Sequence, residues 1–234
     1  MSRKLRQEST RPTHASLAVV LQVRDGELEV LLWRRARAPA VGAWSLPGGL
    51  LAAGETLERS IRRHLAAKVD VRELAHVEQL GTWSAPHRHP SDWELATAYL
   101  GLVPLGVDPH LPADTSWHPV DALPRTAFDH GEIVLSGRER LRGKLSYTNI
   151  GFALAPETFT LAELRDIYVA ALGHAVSATN LKRVLLRRGA LEATGERRSP
   201  GRAGGRPAEV FRFRHHHLEV TDPFAALRPP GGPA

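Results

Sequence analysis

The chain has 234 residues, 42% hydrophobic and 24% charged, which excludes wholesale disorder and allows one large domain or two small ones. It has no cysteine, which excludes a disulfide framework, thiolate metal sites and thiol catalysis and fits a reducing compartment. The net charge of +6 is unevenly placed: residues 177–214 hold 10 Lys/Arg against 3 Asp/Glu, a local excess suited to a polyanion or, more plainly, to a solvated basic face.

Residues 1–13 read as a flexible basic tail with no apolar stretch behind it, unlike a signal peptide. The longest strongly apolar run, Leu17 to Val23, is too short to cross a bilayer. A cytoplasmic protein with no membrane partner is expected. Residues 15–23 and 28–33 are apolar, β-branched runs separated by Arg24-Asp25-Gly26-Glu27, a hairpin signal. Leu46-Pro47-Gly48-Gly49 breaks the chain before a helix expected over about 56–68. Strands follow near 76–83 and 94–104. This mixed order makes 14–150 an α+β or α/β unit.

From Thr158 the signals become helical. Thr160-Leu161-Ala162-Glu163 is a capping box and Gly173 a stop; Ser177 caps a second helix that ends at Gly189. Residues 190–194 and 208–213 read as strands joined by a Gly/Arg/Pro loop. Helix, turn, helix and hairpin is the order of a winged helix-turn-helix, placed at 155–217 after a boundary near 150–157. A tail, 218–234, ends in RPPGGPA and reads as disordered.

Two stretches carry chemistry. Gly49, Glu55 and Arg63, with Leu65 and Val71 behind them, resemble the Nudix box G-x5-E-x7-R-E-U-x-E-E-x-G-U, U being a bulky apolar residue. Trp44-Ser45-Leu46-Pro47-Gly48-Gly49 upstream, and Gln79 to Trp83 and Arg88-His89-Pro90 downstream, extend the likeness toward its ADP-ribose-handling branch. Carboxylates at i, i+3 and i+4 of that helix would hold Mg²⁺ and so activate water. Here the positions are His64, Ala67 and Lys68, with Asp70 for the expected Gly, so the catalytic metal site is lost and no catalytic residue is assigned. Lys68 puts an ammonium where a cation would sit. Glu55 and Arg63 remain, and the resemblance implies that they pair to hold the loop. Glu55, Glu58 and His64 could form a makeshift metal site; solvated or ion-paired side chains are the plainer reading.

The resemblance also makes Trp44, Gly48, Gly49, Lys68 and Arg88 candidate effector-binding residues, stacking a base or holding phosphate. Trp44 could equally be a rim residue of the core and Arg88 a surface residue. His89 stands where the family has Asp after that Arg.

The second stretch is the helix over 178–188. Leu181, Val184, Leu185 and the stem of Arg188 fall on one side; Thr179, Lys182, Arg183 and Arg187 fall on the other, with Leu186 awkwardly among them. A basic outer face on the second helix of a helix-turn-helix suits a major groove. Arg197, Arg198, Arg202 and Arg206, interleaved with glycines, suit close approach to the backbone or minor groove. With Asn180 these are the candidate DNA-binding residues. FTLAELRDIY, NLKRVLLRRGALEATGERRSPG and GGRPAEVFRF, preceded by FDHGEIVLSGRERLRGKLSYTNIGFAL, closely resemble the NrtR family of Nudix-related transcriptional regulators.

That resemblance covers about 14–214. It implies a Nudix-like α/β/α sandwich fused to a winged helix-turn-helix, α+β overall. It also implies a homodimer that represses genes of NAD synthesis or salvage on double-stranded operator DNA, and lets go when ADP-ribose or a related nucleotide binds, with no cofactor required. An ADP-ribose pyrophosphatase with an appended module, a sensor of a sugar or sugar phosphate on the same architecture, and a protein-interaction winged helix are the alternatives. His215-His216-His217, with no second ligand cluster in view, reads as a solvated strand end, and no metal site is assigned.

Overall fold

The computed structural model describes residues 12–68, 74–90, 93–199 and 207–222. Strand β1 (Thr13–Arg24) turns at Asp25-Gly26, both at positive φ, into antiparallel β2 (Glu27–Arg34), as the Asp-Gly signal predicts. Short β3 (Trp44–Ser45) and β4 (Gly48–Leu50) pair β2 and β1 and lead to helix α1 (Leu57–Lys68). Then come β5 (His76–Trp83), β6 (Glu94–Leu102), β7 (Thr115–Pro119) and helix α2 (His130–Tyr147). The strands form one sheet of order β3-β2-β1-β6-β5, β4 pairing β1 and β7 pairing β2, with β1 and β6 parallel at its centre.

Residues 15–23 of β1 are buried on both faces, as a strand covered by two layers must be. Its period of two divides them: Ala18 and Val20 pack with Ile61 and Leu65 of α1, and Leu17, Val19 and Leu21 with Ile133, Val134 and Leu141 of α2. The fold is the expected α/β/α sandwich. Helix α2 is unannounced by apolar periodicity, and Gly137 explains part of that. A Cβ there would lie 2.7 Å from Cγ1 of Val19, so the helix can approach β1 only without a side chain.

The C-terminal half is β8 (Phe159–Thr160), α3 (Leu161–Leu172), α4 (Ala178–Arg187), β9 (Leu191–Arg198) and β10 (Ala208–Phe213), in a sheet of order β8-β10-β9. The capping box at Thr160 and Glu163 is formed in both directions, Gly173 ends α3 at φ 74°, and Ser177 caps α4. Strand β9 runs to Arg198, four residues beyond the expected 194.

The boundary stretch 150–157 is packed: Ile150–Ala153 is a buried 3-10 turn, the Leu105 N–H donates to the Leu154 carbonyl, and one apolar cluster runs from Leu17 to Phe213. One expectation needs correction. The tail does not start at 218, because Thr221 and Asp222 donate to the Tyr147 carbonyl and Val220 bridges Thr148. Likewise Thr13 already belongs to β1. Residues 1–11 and the RPPGGPA end lie outside the described residues, among which no helix is long and apolar enough to cross a membrane.

Candidate effector cleft and nucleic-acid face

A cleft of about 610 Å³ opens between β1, β4, the 35–38 loop and the start of α2. Gly48 and Gly49 form one wall. Gly48 sits at φ +154°, where a Cβ would collide with the Ser16 carbonyl; at Gly49 a Cβ would stand 2.5 Å from the ring of His64. Both glycines are therefore required by close packing. Across the cleft lie Trp33, Arg35, Arg37, His89, Phe128 and His130, of which the sequence singled out His89 alone, as a departure from the family's Asp. The Arg34-Arg35-Ala36-Arg37 run at the end of β2 was the signal available.

Phe128 adopts a left-handed backbone, φ 53°, uncommon for a bulky residue and suggestive of a constrained site. Its ring lies 4.7 Å from that of His89, 5.5 Å from that of His130, and 4.9 Å below the Arg35 guanidinium. Nδ1 of His89 is buried without a hydrogen-bond partner among the described residues. Nδ1 of His130 accepts the Leu46 N–H at 3.0 Å, so the neutral ring carries its proton on Nε2. Burial, helped by Arg88, Arg35 and His89, pushes His130 down to about 3. A cleft with two arginines and aromatic and imidazole rings can take an anionic ligand that carries a flat ring.

Arg88 and Trp44 do not line this cleft. The Arg88 side chain is 2% exposed and gives Nε and Nη2 to Asp129 at 2.9 and 2.7 Å and Nη1 to Glu94 at 3.2 Å. It props the wall from behind. Trp44 sits edge-on to His118 and lines a neighbouring cleft with Val41 and Arg125. The Lys68 side chain lies outside the described residues.

The donors near α1 do not fit a divalent-cation cage. Glu55 receives Arg63 Nε at 2.8 Å and Nη2 at 2.6 Å, the pairing the resemblance implied, and this holds its carboxyl down to about 2. Glu58 pairs with Arg62, and His64 Nε2 meets the Leu50 carbonyl at 3.1 Å. Both carboxylates are committed to arginines.

On α4, Leu181 and Leu185 are buried, while Thr179, Asn180, Arg183, Leu186 and Arg187 are exposed. The exposed face is basic, as expected, but its charges are not equivalent. Lys182 donates to Glu209 at 2.8 Å and lies 4.8 Å from the Phe211 ring centre, tied to the wing; Arg183 donates to Asn180 at 2.7 Å. Arg198 donates to both Glu163 oxygens at 2.7 Å and so buttresses the α3 cap. Lys182 and Arg198 are thus already paired with carboxylates of this chain. Arg183, Arg187 and Arg197 have no carboxylate partner among the described residues; Arg202 and Arg206 lie outside them.

Models of the NUDIX domain and of the NrtR DNA-binding winged helix domain match residues 12–136 and 151–213. The ADPR responsive transcriptional repressor NtrR of Acinetobacter baylyi is 28% identical over 211 residues, 87% of this chain and 83% of its own. The crystal structure of Shewanella oneidensis NrtR complexed with a 27mer DNA is similar at TM-score 0.72 and 31% identity, over 86% of this chain and 93% of that one. The NUDIX domain of the same protein, cocrystallised with ADP ribose, matches at TM-score 0.50 and 31% identity, over 56% of this chain and 90% of that one.

Proposed function

Since the chain belongs to the NrtR family of Nudix-related transcriptional regulators, we propose that it is a DNA-binding repressor whose sandwich senses ADP-ribose or a related nucleotide without hydrolysing it. The observation that carries this reading is a pairing within one chain. A cleft with Arg35 and Arg37 on its walls stands beside a Nudix helix whose carboxylates are taken by arginines, and a basic, solvent-facing α4 stands in the other half. The arginines neutralise pyrophosphate in place of metal. The winged helices bind two half-sites as a homodimer, with α4 in the major groove, and the regulated genes are those of NAD synthesis or salvage.

Helix α2 is the physical link. It begins in the cleft at His130 and ends at Tyr147, whose carbonyl holds the chain at Thr221 and Asp222 beside the winged helix. A ligand that prefers one setting of the Phe128–His130 wall biases the position of this rod. Such coupling is typically 1–3 kcal/mol, roughly 5–150-fold in operator affinity.

The test follows operator binding by fluorescence anisotropy while ADP-ribose is titrated with EDTA present, and product formation with Mg²⁺ or Mn²⁺. Operator release in EDTA with no product is expected. Turnover of several per second, as for ordinary enzymes, would overturn the repressor-only reading, and so would an affinity for operator that ADP-ribose leaves unchanged.

A further inference from the structure

After β10 the chain doubles back on the joint between α2 and the 3-10 turn, and one buried amide fixes it there. Asn149, 2% exposed, donates from Nδ2 to the carbonyls of His217 at 2.9 Å and His215 at 3.5 Å; its Oδ1 accepts the Glu219 N–H at 2.7 Å. The Asn149 N–H also donates to the Glu219 carbonyl at 3.1 Å. The backbone of three residues is thereby held in one geometry from below.

Their side chains converge above it. Nε2 of His217 lies 2.9 Å from Oε1 of Glu219, Nδ1 of His215 lies 3.8 Å from the same oxygen, and the three donor atoms lie within 4.8 Å of one another. Donors about 2.05 Å from a tetrahedral ion stand about 3.3 Å apart. The two imidazole–carboxylate separations bracket that edge. His216 does not share in the cluster; its ring stands edge-on to Phe152, 6.2 Å between centroids.

We propose that His215, His217 and Glu219 bind a divalent transition ion of the zinc class, with solvent completing the shell. Two imidazole nitrogens and one carboxylate oxygen suit that class, whereas Mg²⁺ and Ca²⁺ prefer all-oxygen shells. Asn149 orients the ligands through their backbone, the role outer partners play in metal sites. The sequence contains the histidines in plain view; the third donor, two residues past them, becomes a partner only because Asn149 folds the turn. A bound ion would tie the end of the wing to Thr148–Asn149, the seam between the two halves.

The chain has 12 histidines, so the test must locate the ion as well as detect it. Full-length protein stripped with chelator is titrated with Zn²⁺ against a chromophoric competitor, and the loaded protein is examined by X-ray absorption. Affinity should fall at least about 10-fold in His217→Ala and in Glu219→Gln and stay within about twofold in His216→Ala, ligand losses being at least as costly as outer-partner losses. The absorption spectrum should report a nitrogen/oxygen shell with imidazole scattering, and zinc should raise the melting temperature of the wild type but not of His217→Ala. All three side chains are at least one-third exposed, so the variants should fold. Zinc affinity unchanged in both His217→Ala and Glu219→Gln, or no binding by the wild type, would overturn the proposal.

Discussion

Arg88 and Asp129 form a two-pronged ion pair, at 2.9 and 2.7 Å, beneath the cleft wall that Phe128 and His130 present. The arginine is therefore a structural strut whose loss leaves Asp129 and Glu94 without their counter-ion. Breaking a buried pair on one side typically costs about 3–5 kcal/mol. Arg88→Ala should lower unfolding free energy by about that much in urea titrations, and Arg88→Lys by somewhat less, since charge survives but the fork does not. An Arg88→Ala protein of wild-type stability that loses only ligand affinity would return this residue to the cleft surface.

That strut illustrates where sequence reading stops. The hairpin at Asp25-Gly26 and the caps of α3 and α4 depend on neighbours within a few residues and were legible, whereas the pairing of Glu55 with Arg63 was implied only by the resemblance. Arg88 meets a partner 41 positions away, and Phe128 and His130 reach the cleft only through the packing of α2 on β1. Helix α2 itself hides because glycine at 131, 137 and 143 and a sparse apolar stripe mask its period, while its burial is supplied by the sheet. Trp44 is a candidate only through the resemblance; in the structure it pairs with Arg34 of β2 and lines the neighbouring cleft.

The DNA face should divide by what each cation already touches. Arg183→Ala, Arg187→Ala and Arg197→Ala should each weaken operator binding and reduce the salt slope by about 0.9 if one phosphate contact is lost. Lys182→Ala should matter less, and Glu209→Gln, which frees that ammonium, should tighten binding. Arg198→Ala should chiefly lower thermal stability by loosening the Glu163 cap. Gel shifts across a salt series with parallel melting curves check all six; equal effects at Lys182 and Arg187 would contradict the division.

Glu78 clamps α2 to β5. Burial alone would raise its pKa, but His76, Lys144 and Arg140 override it and bring the carboxyl to about 2. The folded value lies below the unfolded one near 4.5, so the stabilisation is fully present above about pH 4.5 and is lost as pH falls toward 2. Acid unfolding of the wild type should steepen across that window, and Glu78→Gln should flatten it while lowering stability at pH 7. Superimposable acid limbs for the two proteins would exclude the clamp as an acid-sensitive element.

His130 should act in a different window and with no change in its own charge during function. Its folded pKa of about 3 lies below the ordinary imidazole value of 6.5, so between those limits the unfolded chain holds a proton that the folded chain lacks. Stability then falls as pH drops below 6.5, at about 1.4 kcal/mol per pH unit from this group, and the loss levels off near pH 3. His130→Asn keeps an acceptor for the Leu46 N–H and removes the titration. The difference in unfolding free energy between the two proteins should therefore change with that slope between about pH 6 and 4, and Glu78, shared by both, cancels. In the folded chain the ring stays neutral from pH 5 to 8, its Nε2–H a fixed donor at the cleft. Effector affinity of the wild type, measured by calorimetry across that range, should show no step that His130→Asn removes; such a step would mean that the ring takes a proton in the folded protein and that the cleft is wetter than its burial implies.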